Sequence, residues 1–172
     1  IYMVQQTFSR PEWEDEWNAW YAGNLKVLMS VPGFRTGQRF KAMGEGTSRY
    51  MAMYTVDSAE VFETQFYKDS GGGGTASQRF RPAYLVWIRN LFEGIDKAPA
   101  VGDGECLVFL DGDSQKLDLQ GVSLTTLQCT GFHRTTPCRG IGVVNKQQAQ
   151  GLAGSDKLGL YLPITAQLGP LY

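Results

Sequence analysis

The stretch SRPEWEDEWNAWYAGNLKVLMSVPGFRTGQRF, from Ser9 to Phe40, decides the fold. Ser9 followed three residues later by Glu12 is typical of a capping box, in which each side chain bonds the backbone amide of the other residue. Pro11 sits in the first turn, where its missing N–H costs little. The pattern predicts a helix over residues 10–30.

Apolar residues recur along this helix at steps of three and four, which places them on one stripe. Asn24 is the polar member of that stripe, and a buried amide requires a hydrogen-bond partner. We expect it either to bond a neighbouring backbone or to contact a substrate, and the sequence favours neither. The stripe comprises Trp13, Trp17, Trp20, Tyr21, Asn24, Leu25 and Leu28.

Pro32 and Gly33 end the helix, and a strand is predicted over residues 34–43. Its polar residues could point into a cavity instead of outward to water. Arg35 and Arg39 are of particular interest, because a guanidinium offers a fixed fork of donors for a carboxylate or an enolate oxygen.

The chain has 172 residues, of which 42% are hydrophobic and 19% charged, and these values suit one globular domain or two small ones that share a core. A net charge of −1 disfavours nucleic acid as a partner. The absence of a long apolar run and of a basic leader predicts no membrane contact and a cytoplasmic location. Cys106, Cys129 and Cys138 are too scattered for a disulfide framework or a zinc site, so we expect free thiols and no metal.

The first 95 residues predict strands over 1–8, 34–43 and 49–56 and a helix that begins after Asp57-Ser58 and ends at Gly71. A closing strand is favoured over about Trp87–Phe92, although a short helix is the alternative there. Gly71 to Gly74 lack the lysine and the spacing of a phosphate-binding loop, so we interpret them as a flexible loop or slack.

The same order of elements restarts after the Pro/Gly linker at residues 96–104. A strand over 105–110 and a shorter helix over 117–127 are followed by Gly131-Phe132-His133-Arg134, which echoes Gly33-Phe34-Arg35-Thr36. Strands are then predicted over 139–144 and 158–168, with a short helix between them. We therefore predict an α+β protein of two tandem ferredoxin-like β-α-β-β-α-β units, 1–95 and 105–172, that form a barrel.

The runs WNAWYAGNLKVLMSVPGF, QRF and RYMAMYTVDSAEVF resemble the EthD-like branch of the dimeric α/β-barrel superfamily over residues 1–95. The resemblance implies a barrel of two packed sheets and a pocket between each sheet and its helices. Such proteins commonly carry a histidine where this chain has Asn24. The superfamily hosts many reactions, so the resemblance implies the fold more strongly than the chemistry.

His133 is the only histidine, and the repeat places it on the strand position that matches Arg35. Because imidazole titrates near neutral pH, we predict that His133 is the catalytic acid or base. Arg39 and Tyr50 are predicted to stabilise the developing oxyanion. The residues predicted to bind substrate are Asn24, Tyr21, Trp20, Arg35, Tyr54 and Trp87.

These predictions indicate cofactor-independent proton transfer on a small aromatic or cyclic molecule, as in an isomerase, a lyase or dehydratase, or a cyclase. Two alternatives stay open: a cofactorless monooxygenase of the antibiotic-synthesis type, and a non-catalytic small-molecule-binding protein. Haem breakdown is a further alternative, with His133 as axial ligand. No cofactor is expected, and a homodimer is left open.

Overall fold

Eight strands form most of the regular structure in the computed structural model, which describes residues 1–45, 48–72, 75–152 and 157–172. The strands are β1 (Tyr2–Phe8), β2 (Phe34–Ala42), β3 (Tyr50–Val56), β4 (Tyr84–Glu93), β5 (Glu105–Gly112), β6 (Thr125–Phe132), β7 (Cys138–Asn145) and β8 (Leu158–Pro163). The helices are α1 (Glu14–Met29), α2 (Gln65–Asp69) and α3 (Lys146–Gln150), and short 3-10 turns lie at Pro11–Trp13, Ala59–Glu63 and Gln78–Ala83.

The strands close into one barrel in the order β1-β3-β2-β8-β5-β7-β6-β4. Every pairing is antiparallel. Within the first half the neighbours run β4-β1-β3-β2, and within the second half β8-β5-β7-β6, so the two halves have the same relative order. The fold is therefore mixed α+β, with an eight-stranded antiparallel barrel and few helices.

Both faces of β3 are buried, which explains why this strand reads YMAMYTV without polar alternation. Met51 and Met53 point into the barrel, where they pack with Phe40 and Phe92. Tyr50, Ala52 and Tyr54 point outward against α1. Because side chains alternate along a strand, this register fixes which residues can reach the space beneath the helix.

α1 covers that outer face, and its stripe is buried as predicted at Trp17, Tyr21, Leu25 and Leu28. The predicted capping box is wrong: Ser9 donates to the Ala83 carbonyl at 3.2 Å instead of capping the helix. Helical geometry begins with the 3-10 turn at Pro11, and no side chain caps it. No helix in the described part of the chain is long and apolar enough to span a membrane.

The helix predicted over residues 117–127 is also wrong. Residues 113–124 form an irregular loop, and β6 already begins at Thr125. The loop lies directly against the outer face of β7, where Gly140 and Gly142 leave room for it. A Cβ at Gly142 would lie 2.6 Å from the Ser123 carbonyl oxygen, so a side chain there would push the loop off the sheet.

The linker at residues 96–104 packs against the barrel core and is held by side chains. Ala98 and Val101 are buried with the interior residues. Thr55 Oγ1 accepts from the Ala98 amide at 2.9 Å, and Gln38 bonds both the amide and the carbonyl of Val101, at 3.1 and 2.7 Å. The linker thus ties the two halves together through buried polar contacts.

An ion pair lies inside the barrel between β5 and β7. Arg139, which is 1% exposed, donates from Nε and Nη2 to the two carboxylate oxygens of Asp111 at 2.6 and 2.8 Å. Its Nη1 donates to Gln5 at 3.0 Å, and its guanidinium lies 4.0 Å from the Phe109 ring centroid. A buried charge with this many partners becomes costly when one partner is removed.

We expect Arg139→Met to lower the free energy of unfolding by about 3 kcal/mol, because Asp111 is left without its counter-charge. Urea denaturation measures the loss. Arg35→Met is the matched control, since Arg35 forms an exposed pair with Asp57 at 3.1 Å and such pairs contribute less than about 1 kcal/mol. Equal losses in the two variants would contradict the assignment of the interior pair.

Candidate functional site

A cavity of about 50 Å³ lies between α1 and the outer face of the first sheet. The strands contribute Tyr2, Val4, Gln6, Tyr54, Trp87 and Arg89. The helix contributes Trp20, Tyr21, Asn24 and Leu28. The part of the chain between β3 and β4 contributes Tyr67, Gly71, Gly72, Ala76 and Ser77. The cavity opens to solvent at one side.

Strand and helix periodicity together build this lining. Residues 2, 4 and 6 of β1 share the outward face, as do Trp87 and Arg89 of β4. On α1, Tyr21, Asn24 and Leu28 are three and four residues apart and therefore lie on one side of the helix. The outward face of the two strands and this side of α1 therefore border the same cavity.

Tyrosine hydroxyls are the main polar groups of the cavity. Burial raises the pKa of Tyr21 to about 12 and raises the pKa values of Tyr2 and Tyr54 well above the usual range. These hydroxyls therefore keep their protons at neutral pH and act as hydrogen-bond donors, not as bases.

Two buried polar atoms at the cavity have no hydrogen-bond partner within the described ranges: the Tyr54 hydroxyl and Arg89 Nε. A hydrogen-bond contact with the Tyr21 hydroxyl contributes to the raised pKa of Tyr54, but the two hydroxyls do not meet in ordinary hydrogen-bond geometry. The Arg89 guanidinium lies 4.6 Å from the Trp87 ring centroid and 4.9 Å from that of Phe132. Buried polar atoms are seldom left in this way without a functional reason.

Five of the predicted substrate-binding residues line this cavity together: Trp20, Tyr21, Asn24, Tyr54 and Trp87. Arg35 does not. It is exposed, pairs with Asp57, and lies in a separate open cleft of about 800 Å³. That cleft is larger, but its ionisable side chains are mostly acidic, with Asp57, Glu60, Glu93 and Asp96 around Arg35.

Arg39 and Tyr50 lie beneath the first turns of α1 and outside the cavity. Arg39 donates to the Asn18 side chain at 2.7 Å, while the Tyr50 hydroxyl donates to Glu14 and accepts from Asn18 at 3.0 Å. Burial lowers the pKa of Arg39. Its guanidinium lies 4.2 Å from the Tyr21 ring centroid, so Arg39 reaches the cavity only through Tyr21.

His133 lies outside the cavity, which corrects the interior strand position expected from the repeat. β6 ends at Phe132, and positive φ angles at Phe132 (59°) and Arg134 (48°) turn the chain there. The imidazole is exposed, and its Nδ1 accepts from the Arg89 amide at 3.1 Å. Its ring lies edge-on to Trp87, with the ring centroids 6.3 Å apart, and His133 itself does not line the cavity.

The cavity residues that sequence reasoning missed include Tyr2, Gln6, Tyr67 and Arg89. The alternation of Tyr2, Val4 and Gln6 along β1 was an available signal, but only the pairing of β1 with β3 and β4 shows which face they share. Of the predicted glycine loop, Gly71 and Gly72 line the cavity, and Gly73 and Gly74 lie outside the described residues.

Over the described ranges, no group of three His, Cys, Asp or Glu side chains is placed to hold a metal ion. The three cysteines are free thiols. Burial raises the pKa of Cys106 to about 11, which makes its thiolate scarce at neutral pH.

Tyr54→Phe is expected to leave the free energy of unfolding unchanged or to raise it by up to about 1 kcal/mol, because the buried hydroxyl it removes has no partner in ordinary hydrogen-bond geometry. Tyr50→Phe, the matched control, should lower it by about 1–3 kcal/mol, because Glu14 and Asn18 lose a partner. Urea denaturation of both variants measures the two changes in the free energy of unfolding. A loss at Tyr54 as large as that at Tyr50 would mean that the Tyr54 hydroxyl is engaged.

Comparisons with known proteins bear on the fold. No protein-family model matches the chain, and no curated protein matches it. Among solved structures, an anthrone oxidase-like protein superposes with a TM-score of 0.65 at 9% identity, over 99% of this chain and 93% of that one.

Two further structures each have a TM-score of 0.54. A candidate chlorite dismutase is 6% identical, over 95% of this chain and 94% of its own, and a candidate monooxygenase from Lactobacillus acidophilus is 9% identical, over 98% and 95%. At these identities the likeness concerns the fold alone, so the EthD-like branch stays a prediction. The chain shares the mixed α+β fold of these three structures, and its place in the dimeric α/β-barrel superfamily also stays a prediction.

Proposed function

We propose that the chain is a cofactor-independent enzyme that ionises a small aromatic or cyclic compound in the cavity beneath α1. The observation that carries the proposal is the lining itself: the neutral tyrosines Tyr2, Tyr21 and Tyr54 line the same cavity as the indole rings of Trp20 and Trp87. Donors held in a buried site stabilise negative charge that develops on an oxygen, because they need no reorganisation as the charge forms.

The source of catalysis in this proposal is anion stabilisation. No carboxylate and no imidazole lines the cavity among the described residues. The tyrosines keep their protons at neutral pH and therefore cannot accept one from the substrate. The proton of an acidic C–H or O–H group therefore passes to solvent at the open side, while the hydroxyls hold the resulting enolate or phenolate. His133, outside Trp87, has no part in this step.

The size of the cavity sets a condition on the proposal. A cavity that holds benzene measures about 150 Å³, which exceeds the 50 Å³ found here. A ring can enter only if a wall moves, and Trp20 and Trp87 are half-buried aromatic walls of the cavity. Their indole faces would then stack on the ring.

A second candidate function is oxygenation, in which the ionised substrate reacts with O₂. The lack of a base among the described lining residues favours oxygenation over proton transfer between two substrate positions. Oxygenation requires only that the substrate be ionised, because the ionised substrate then reacts with O₂ itself. The descriptions of two structural neighbours, anthrone oxidase-like and monooxygenase, point the same way. A non-catalytic binding protein is the third reading, and it requires only that no compound is consumed.

We also infer that the two halves are tandem ferredoxin-like units, the second without its first helix. The shared strand order of the halves supports this inference, as does the loop over residues 113–124 that covers β7 in place of a helix. The unit boundaries and any homodimer remain predictions.

Proton transfer can be tested with anthrone, whose ring methylene is acidic, by following hydrogen–deuterium exchange by NMR in D₂O under nitrogen. We expect the protein to accelerate exchange and Tyr54→Phe to slow it by about 100-fold, the usual loss when one oxyanion donor is removed. His133→Ala should leave the rate unchanged.

Oxygen uptake measured on the same mixture in air separates oxygenation from proton transfer alone. Exchange no faster than in buffer, for anthrone and for a panel of cyclic ketones, would contradict the proposed enzyme. Loss of exchange in His133→Ala would contradict the assignment of solvent as the proton acceptor.

A further inference from the structure

We propose that the cavity binds its ligand as a monoanion, with the charged oxygen accepting from the Tyr54 hydroxyl and the positive charge of Arg89 compensating it. This inference rests on the proposed function and specifies its ligand. It assigns the oxyanion site to Tyr54 and Arg89, in place of the Arg39 and Tyr50 that the sequence had indicated.

The Tyr54 hydroxyl is the first half of the site. The residue is 0% exposed, its ring is fixed by packing against Tyr2 and Phe34, and it contributes to the lining of the cavity. Its polar neighbour among the described residues is the Tyr21 hydroxyl, and the two hydroxyls do not meet in ordinary hydrogen-bond geometry. A buried donor without an acceptor in full hydrogen-bond geometry is positioned for an acceptor that arrives from outside the chain.

Arg89 is the second half. It carries the only full charge among the described side chains that line the cavity, and none of the ion pairs of the described chain involves it. Its Nε is buried without a partner, while its guanidinium plane is held over the rings of Trp87 and Phe132. An anion entering the cavity would meet a counter-charge there, whereas a cation would meet repulsion.

The aromatic walls limit which anion fits. Trp20 on α1 and Trp87 on β4 border the cavity from opposite elements, so a planar ring is favoured over a bulky aliphatic group. Tyr54 offers one O–H donor, which matches a single charged oxygen conjugated to such a ring. The ligand class is therefore an aromatic phenolate or a ring enolate.

The inference can be tested with para-nitrophenol, whose yellow phenolate reports its own ionisation, and with para-nitroanisole as a neutral probe of similar shape. In the wild-type protein we expect the pKa of bound para-nitrophenol to fall by about one unit, which corresponds to about tenfold tighter binding of the phenolate than of the phenol. Tyr54→Phe and Arg89→Gln should each remove most of that shift.

Arg81→Gln is the matched control. Arg81 lies 4.5 Å from the same Trp87 ring centroid but does not line the cavity, so its loss removes an equal charge without removing a lining group. The phenolate preference should persist in this variant. Arg89→Lys keeps the charge but lacks the Nε–H donor, and we expect an intermediate shift; circular dichroism and the urea midpoint establish that each variant is folded.

The outcomes separate this inference from the proposed function. Equal binding of phenol and phenolate, or tighter binding of para-nitroanisole, would overturn the anion site and leave the small-molecule cavity intact. An Arg81→Gln effect as large as that of Arg89→Gln would also overturn it, since a general surface charge would then explain the preference. Failure of both probes to bind would count against the anion site and the proposed cavity together.

Discussion

The packing of α1 on the outer face of the first sheet is the interaction on which the rest of the structure depends. Trp17 lies at its centre, fully buried, with its ring against Phe8, Tyr21 and Tyr50 and its Nε1 donating to the Tyr84 hydroxyl at 3.0 Å. This contact fixes the height of the helix above the sheet. Aromatic side chains fill most of the space between α1 and the sheet. The part that they leave unfilled is the cavity, and tyrosines contribute to its lining.

Polar groups beneath α1 divide into two sets with different roles. Toward the start of the helix, Glu14, Asn18, Arg39 and Tyr50 satisfy one another, and hydrogen bonds from Tyr50 and Arg49 outweigh the effect of burial and lower the pKa of Glu14. Further along, Tyr54 and Arg89 remain unsatisfied. Polar groups that bond one another stabilise the fold, whereas polar groups left without partners can bind a ligand. This difference in hydrogen bonding distinguishes the two sets, although both contain an arginine and a tyrosine.

Local patterns predicted the first half of the fold well, because helix and strand periodicity are properties of neighbouring residues. The sequence predicted Trp20, Tyr21, Asn24 and Tyr54 as substrate-binding residues, and the structure brings them together in the lining of one cavity. Arg89 and Tyr2 were missed because β1 contacts β4 across more than eighty residues of sequence. The repeat misplaced His133, since it matched residues by likeness and could not detect the turn at Phe132.

A crystal structure of the protein with bound para-nitrophenol would show which space the chain uses for a ligand. We expect density between Trp20 and Trp87, with the phenolate oxygen within hydrogen-bond distance of the Tyr54 hydroxyl. Density confined to the larger cleft beside Arg35, with the space beneath α1 unchanged, would contradict it.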